Sequence, residues 1–161
     1  MTVVAGIVTP QGAWMGADSL ASNDDELAST SASPKIARFE QLILGFAGSW
    51  RAGQQFFKAA GAAYRPTLEQ LLEAVDPDDK EWQLLAIEDG RLFEVQSDKG
   101  IIEARKDHGY AYGAIGTGAS VALGALYVSH DDEGSLMQAL SAAQEHSTRV
   151  RGPFTIIGDQ L

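Results

Sequence analysis

The sequence predicts an α+β fold of four layers, an αββα sandwich in which two antiparallel sheets lie face to face and a helix pair covers each outer side. Strand-like and helix-like segments follow one another in blocks: strands, two helices, strands, two helices and a last strand. The strand-like segments come mostly in pairs joined by short turns, which favours antiparallel hairpins. A chain of 161 residues has the length of one domain, so we expect a single domain over 1–161.

The first part of the chain predicts two hairpins joined by a polar loop. Segments 2–8 and 13–18 are apolar, and the sequence TPQG between them is typical of a turn. A stretch rich in Ser, Asp and Asn over 21–34 predicts an exposed loop. The short apolar segments 35–40 and 41–48 then predict the second hairpin.

Helical periodicity begins after Gly48. Aromatic residues and alanines recur at close to helical spacing over 49–65, and Pro66 ends this pattern. The segment TLEQLLEAV, residues 67–75, begins with a threonine suited to a cap and predicts a second, short helix.

Strands return after an acidic turn. Asp89 and Gly90 lie inside the apolar segment 82–96, and Asp-Gly is among the strongest hairpin signals, so two strands are expected there. Residues 99–116 have a mostly extended pattern.

The last part of the chain predicts a second helix pair and a closing strand. Small and apolar residues after Gly118 predict a helix over 119–130. Gly134 is expected to separate it from an amphipathic helix over 135–150. The sequence GPFTIIG at 152–158 predicts the closing strand.

Composition excludes several classes of function. The net charge of −10 argues against nucleic acid and anionic membrane as partners. The chain has no cysteine, which excludes disulfides and thiolate chemistry. No apolar run is long enough to span a membrane and no signal peptide is apparent, so we expect a cytoplasmic protein. The scattered His108, His130 and His146 do not have metal-ligand spacing, and we expect neither a metal nor a cofactor.

Thr2 lies directly after the initiator Met1, where aminopeptidases generally remove methionine before a small residue. The mature chain would then carry a hydroxyl and a free α-amine on one residue. Such an amine has a pKa of about 7.7–8.0, so a sizeable fraction is neutral near pH 7 and can take the hydroxyl proton.

Four motifs in a fixed order carry a family resemblance. They are an early threonine, a hairpin that ends in Gly-Ala-Asp, a lone lysine before a strand, and Gly-x-Ala-Gly. As a set, the segments TVVAGIV, GAWMGADSLAS, SPKIARF and LILGFAGSW resemble the proteasome β-subunits and the HslV-type peptidases, which are N-terminal-nucleophile (Ntn) hydrolases. The later AIGTGAS resembles the Gly-Ser-Gly before the third helix of that family.

The resemblance implies the Ntn hydrolase fold and hydrolysis of peptide bonds in a peptide or unfolded protein. It also implies a homo-oligomeric ring of six or seven subunits, often stacked, with an ATP-dependent unfoldase as the expected partner. By position, Thr2 matches the nucleophile and Asp18 the acid that pairs with the catalytic lysine. Lys35 matches that lysine, and Gly48 matches the glycine whose N–H forms the oxyanion hole.

The resemblance also assigns substrate contacts. Ser22 matches the residue that hydrogen-bonds the substrate backbone as an added strand. Ala21, Phe46 and Trp50 match positions that line the S1 pocket, which the two aromatic side chains would make apolar or shallow.

The sequence departs from the family pattern at two places. Thr117 replaces a serine near the nucleophile, and the late acid aligns with Glu145, followed by Ser147 or Thr148 as the late hydroxyl. Two alternatives therefore stay open. One is a catalytically inactive ring scaffold or binding subunit with the same fold, and the other is a hydrolase of small amides that uses the same nucleophile.

Overall fold

The structure, a computed structural model, describes residues 2–21, 29–30 and 33–160. The described residues form eleven strands and four helices. In chain order the elements are β1 (Val4–Thr9), β2 (Gly12–Ala17), β3 (Leu20–Ala21), β4 (Ser29–Thr30), β5 (Ile36–Phe39), β6 (Leu42–Gly48), α1 (Trp50–Ala62), α2 (Leu68–Ala74), β7 (Trp82–Glu88), β8 (Arg91–Gln96), β9 (Ile101–Glu103), β10 (Ala111–Ile115), α3 (Ala119–Val128), α4 (Glu133–His146) and β11 (Thr155–Gln160).

Two antiparallel sheets confirm the predicted sandwich. The four-stranded sheet has the order β10-β1-β2-β11, and the five-stranded sheet has the order β5-β6-β7-β8-β9. The predicted turn at Asp89 and Gly90 joins β7 to β8, and both residues have positive φ angles, 50° and 68°, as this kind of tight turn requires.

Three apolar layers hold the sandwich together. In β1, Val4 and Val8 face the five-stranded sheet, whereas Ala5 and Ile7 on the other side face α3 and α4. Helices α1 and α2 cover the outer face of the five-stranded sheet around Phe56. Because side chains alternate along a strand, Thr2 continues the Val4–Val8 side and lies at one end of the layer between the sheets.

Short polar side chains set the helix starts. Ser49 accepts from the Ala52 N–H at the start of α1, and Thr67 and Gln70 form a reciprocal capping box at α2. At α4 the Asp132 side chain accepts from the Ser135 N–H, so the helix begins at Glu133. Gly134 therefore lies inside the first turn of α4 and does not separate two helices as expected from the sequence.

Two other segments differ from the sequence-based expectation. The loop predicted over 21–34 contains a short antiparallel pair, β3 with β4. Helix α4 ends at His146 instead of continuing to residue 150, because the chain then runs back to the segment just after β2, where the Ser19 N–H donates to the Arg151 carbonyl at 3.1 Å. Within the described ranges, no helix is long and apolar enough to cross a membrane.

Candidate active site

The backbone of Thr2 is held by the turn that precedes α3. Its carbonyl accepts from the Gly118 N–H at 3.1 Å and from the Thr117 hydroxyl at 3.3 Å. Its own N–H donates to Thr117 Oγ1 at 3.2 Å. Gly116 makes this close approach feasible, because its φ is +92° and a Cβ there would lie 2.4 Å from the Thr2 carbonyl oxygen. Thr2 is 3% exposed, so its position is set by these contacts.

The Asp18 carboxylate lies beside the Thr2 hydroxyl, just after the end of β2. In the part of the chain that the structure describes, Asp18 accepts five hydrogen bonds. The donors are Thr2 Oγ1 at 2.5 Å, Val3 N at 3.1 Å and Lys35 Nζ at 2.8 Å on Oδ1, with Leu20 N and Arg151 N, both at 3.3 Å, on Oδ2. Donors from four separate segments therefore fix the carboxylate and compensate for its burial.

Lys35, directly before β5, completes the cluster from the other sheet. Its Nζ donates to the Thr2 hydroxyl oxygen, to Asp18 Oδ1 at 2.8 Å and to the Leu20 carbonyl at 2.5 Å. These acceptors match the three N–H bonds of an ammonium group. Burial lowers the pKa of Lys35 below its ordinary value, and the neighbouring Asp18 carboxylate opposes part of that shift.

Together these residues can activate a hydroxyl. The Thr2 hydroxyl donates a hydrogen bond to the Asp18 carboxylate and accepts one from the Lys35 nitrogen. A positive charge in hydrogen-bond contact with the Thr2 oxygen stabilises its alkoxide form. The burial of Thr2 and Lys35 strengthens this electrostatic effect.

Gly48 ends β6, the strand that pairs with β5 directly after Lys35. Its φ is +86°, and a Cβ would lie 2.1 Å from the Glu81 carbonyl oxygen, so only glycine fits. The following Ser49 N–H donates to the same carbonyl at 2.8 Å, which fixes the turn into α1. Gly48 is thus exposed, and the turn fixes the conformation of its backbone.

The late residues are only partly brought to this cluster. The Thr117 hydroxyl contacts the backbone of Thr2 and makes no hydrogen bond with its side chain. Glu145 is exposed near the end of α4, and its side chain makes no hydrogen bond or ion pair with any described residue. It lines an open cavity together with Ser147, Thr148 and Arg151. The nearest link from this segment to the cluster is the backbone N–H of Arg151 on Asp18.

The predicted substrate-binding residues lie in different environments. Ala21 is half-buried in β3 and pairs with Ser29, and Ser22 lies outside the described residues. Phe46 is 2% exposed, and its ring packs edge-on against the rings of Trp50 and Phe57, each at a centroid distance of 5.3 Å. Phe46 therefore belongs to the core beneath α1 in this structure, and the half-buried Trp50 is the nearer of the two to the surface.

Two contacts of the site were not predicted from the sequence. The Gly116 N–H donates to Gln83 Oε1 at 3.2 Å, and the Arg151 N–H donates to Asp18. Gln83 shares the inward face of β7 with Leu85 and Ile87, so a polar residue at an apolar position of a strand was the available signal. A backbone donor such as Arg151 leaves no signal in the sequence.

Comparison with known proteins adds a structural likeness to this geometry. The sequence matches no protein-family model and no curated protein. In structure, BPH from Thiobacillus denitrificans in complex with epoxomicin superposes with a TM-score of 0.80 at 16% identity, over 99% of both chains. The eukaryotic HslV from Trypanosoma brucei gives a TM-score of 0.79 at 16% identity, over 99% of this chain and all of that one. This chain has the Ntn hydrolase fold.

A third similar structure is Anbu, described as an ancestral beta-subunit, from Yersinia bercovieri, with a TM-score of 0.75 and 16% identity over 99% of this chain and 82% of that one. The resemblance to proteasome-type subunits that the sequence motifs suggested is thereby confirmed in the fold.

Proposed function

We propose that this chain is a subunit of an N-terminal threonine peptidase, which acts once Met1 is removed. The observation that carries the proposal is the buried contact of the Thr2 hydroxyl with both the Asp18 carboxylate, at 2.5 Å, and the Lys35 ammonium. The three residues were assigned from separate sequence motifs, and they meet at one end of the layer between the sheets.

The proposed reaction begins with attack of Thr2 Oγ1 on a peptide carbonyl carbon. The α-amine of Thr2 takes the hydroxyl proton, and the Gly48 N–H donates to the oxyanion of the tetrahedral intermediate. The C–N bond breaks, the leaving amine takes that proton, and an ester on Thr2 remains. Water then attacks the ester carbon and gives one proton to the α-amine. The bond between that carbon and Oγ1 breaks, the α-amine passes the proton to Oγ1, and the carboxylic acid and the free hydroxyl are released. While Met1 is attached, the Thr2 nitrogen is an amide and cannot accept the proton.

We further propose that the subunits form a homo-oligomeric ring that receives unfolded protein from an ATP-dependent unfoldase. Exposed apolar side chains on the outer helices support an assembly, since Tyr127 is 76% and Val128 is 83% exposed at the end of α3. The likeness to HslV and Anbu supports a ring in particular, and native mass spectrometry tests it by counting subunits.

A second candidate function is an inactive scaffold with the same fold. The packing of Phe46 favours it, because that ring fills the space beneath α1 where the resemblance expected a pocket wall. A scaffold would show no hydrolysis even after Met1 is lost.

Peptide hydrolysis by matched threonine variants tests the proposal. Thr2→Ala is expected to lose all hydrolysis and Thr2→Ser to retain a measurable part, because serine keeps the hydroxyl. Thr9→Ala is the control, since Thr9 is also a buried threonine whose hydroxyl is hydrogen-bonded, to Gly12, yet it lies at the end of β1 that is far from Thr2. Equal activity in Thr2→Ala and wild type would overturn the proposal. Faster turnover of small amides than of peptides would favour the small-amide alternative.

A further inference from the structure

A short row of polar side chains interrupts the apolar layer between the sheets near Thr2. On the inward face of β7, Leu85 and Ile87 are apolar, but Gln83 at the same face is a glutamine. It pairs with Gln96 in β8, whose inward neighbour Glu94 is also polar. All three side chains are half-buried. Polar groups inside an apolar layer cost stability unless they are hydrogen-bonded. The hydrogen-bond partners of these three side chains therefore indicate their structural role.

The row forms one continuous chain of hydrogen bonds. Glu94 Oε1 accepts from Gln96 Nε2 at 2.6 Å, and Gln96 Oε1 accepts from Gln83 Nε2 at 3.2 Å. Gln83 Oε1 in turn accepts from the Gly116 N–H at 3.2 Å. Burial raises the pKa of Glu94, opposed in part by its bond from Gln96, in keeping with a carboxyl group inside the layer. This series of hydrogen bonds fixes the orientation of the Gln83 side-chain amide, so that its oxygen points at the Gly116 N–H.

The last of these hydrogen bonds links strand β7 to the turn that holds Thr2. The turn over 116–118 holds the backbone of Thr2, which leads into β1 of the four-stranded sheet. Gln83 stands opposite Ala47 in β6, one residue from Gly48 in the five-stranded sheet. Lys35 also crosses between the sheets, but it holds the Thr2 side chain, whereas Gln83 acts on the backbone turn.

We propose that Gln83 is a positioning residue, which sets the distance between the Thr2 nucleophile and the Gly48 N–H by tying the turn over 116–118 to strand β7. This inference rests on the proposed function for its effect on turnover, but the link itself does not. Gln96 and Glu94 act through Gln83 by holding its amide in one orientation.

Hydrogen exchange at the Gly116 amide, measured together with kcat and KM, tests the inference in the full-length protein. Gln83→Met keeps the side-chain length and removes the acceptor. We expect Gly116 to exchange about tenfold faster and kcat to fall about 10–100-fold, with little change in KM, since a displacement near 1 Å has that effect. Gln83→Glu keeps an acceptor oxygen and should retain the slow exchange.

Gln41→Met is the matched control. Gln41 is also half-buried, directly before β6, and its substitution removes one hydrogen bond of 3.2 Å to the Pro66 carbonyl, away from the site. It should change neither the Gly116 exchange nor kcat. Should Gln83→Met fail to fold, Gln96→Met gives the same test more weakly, because the Gln83 oxygen remains but its orientation is no longer fixed.

An unchanged exchange rate of the Gly116 amide in Gln83→Met would overturn the inference. It would also be overturned if this amide exchanged as fast in Gln83→Glu as in Gln83→Met. A fall in kcat that Gln41→Met reproduces would also overturn it. If wild type has no peptidase activity, the proposed function fails, and the exchange rates still decide whether the link exists.

Discussion

The buried pair of Asp18 and Lys35 gives the most quantitative test of the site. Their side chains are 0% and 3% exposed and their charged atoms lie 2.8 Å apart. Removing one partner of such a pair leaves an uncompensated buried charge, which costs about 3–5 kcal/mol. We therefore expect Asp18→Asn and Lys35→Met each to lower the free energy of unfolding by about that amount. In a chain of this size the melting temperature should fall by about 6–20 °C.

The double variant should be much less destabilised than the sum of the two. Asp18→Asn with Lys35→Met leaves no buried charge, and contacting residues couple by about 0.5–3 kcal/mol. At 2.8 Å and with both groups buried, we expect the coupling energy near the top of that range. Urea unfolding of the four proteins, at one protein concentration because subunit assembly shifts apparent stability, gives the coupling directly.

Arg91 and Glu103 provide the matched control. They also form a close ion pair, with two hydrogen bonds of 2.8 and 2.6 Å, but their side chains are 54% and 41% exposed. The same cycle with Arg91→Gln and Glu103→Gln should give a coupling below about 1 kcal/mol, as is usual for surface pairs. A coupling for Asp18 and Lys35 within about 0.5 kcal/mol of zero would refute the reasoning.

Three further predictions concern single features of the site and its frame. Gly48→Ala should lower stability by about 1–3 kcal/mol and abolish peptidase activity, because its φ is +86° and the added Cβ would meet the Glu81 carbonyl oxygen; urea unfolding and peptide hydrolysis measure both. Thr67→Ala should cost about 1 kcal/mol in thermal unfolding through loss of the α2 cap, with hydrolysis unchanged. The stability of wild type relative to Lys35→Met should rise as the pH increases from the lowered pKa of Lys35 towards 10.5, as followed by urea unfolding at several pH values.

The sign of the pH effect follows from the lowered pKa of Lys35. Between that pKa and the ordinary value of 10.5, the unfolded chain binds a proton that the native chain does not. Stability therefore rises with pH in this window and is lower below the native pKa. A stability difference that falls with pH in this window would contradict the prediction.

For the other two predictions, the contradicting results are full activity in Gly48→Ala and unchanged stability in Thr67→Ala.

Much of the fold could be predicted because local signals agree with the tertiary arrangement. The turn at Asp89 and Gly90 and the cap at Thr67 both lie where the sequence placed them. The start of α4 was predicted wrongly because Gly134 looked like a helix breaker, whereas the Asp132 cap decides where the helix begins. Its end at His146 depends on the return of the chain to Asp18, a long-range contact that no local pattern encodes.

The candidate site divides in the same way. Thr2, Asp18 and Lys35 could be named from motifs, and the structure brings them into contact. Their roles in catalysis stay predictions. Phe46 could not be placed from the sequence, since whether an aromatic side chain of β6 lines a pocket or fills the core depends on how closely α1 packs. Gly53 sets that distance, because a Cβ there would lie 2.3 Å from the Phe46 ring.

The state of the N-terminus decides the central claim. The most direct measurement is the intact mass of the purified protein before and after treatment with a peptidyl epoxyketone such as epoxomicin, which BPH from Thiobacillus denitrificans binds in its solved structure. We expect the mass to lack one methionine and to gain a single adduct that maps to Thr2 and is absent from Thr2→Ala. A chain that retains Met1 and forms no adduct would contradict the account, and the contacts of Thr2 with Asp18 and Lys35 would then serve only the architecture of a scaffold.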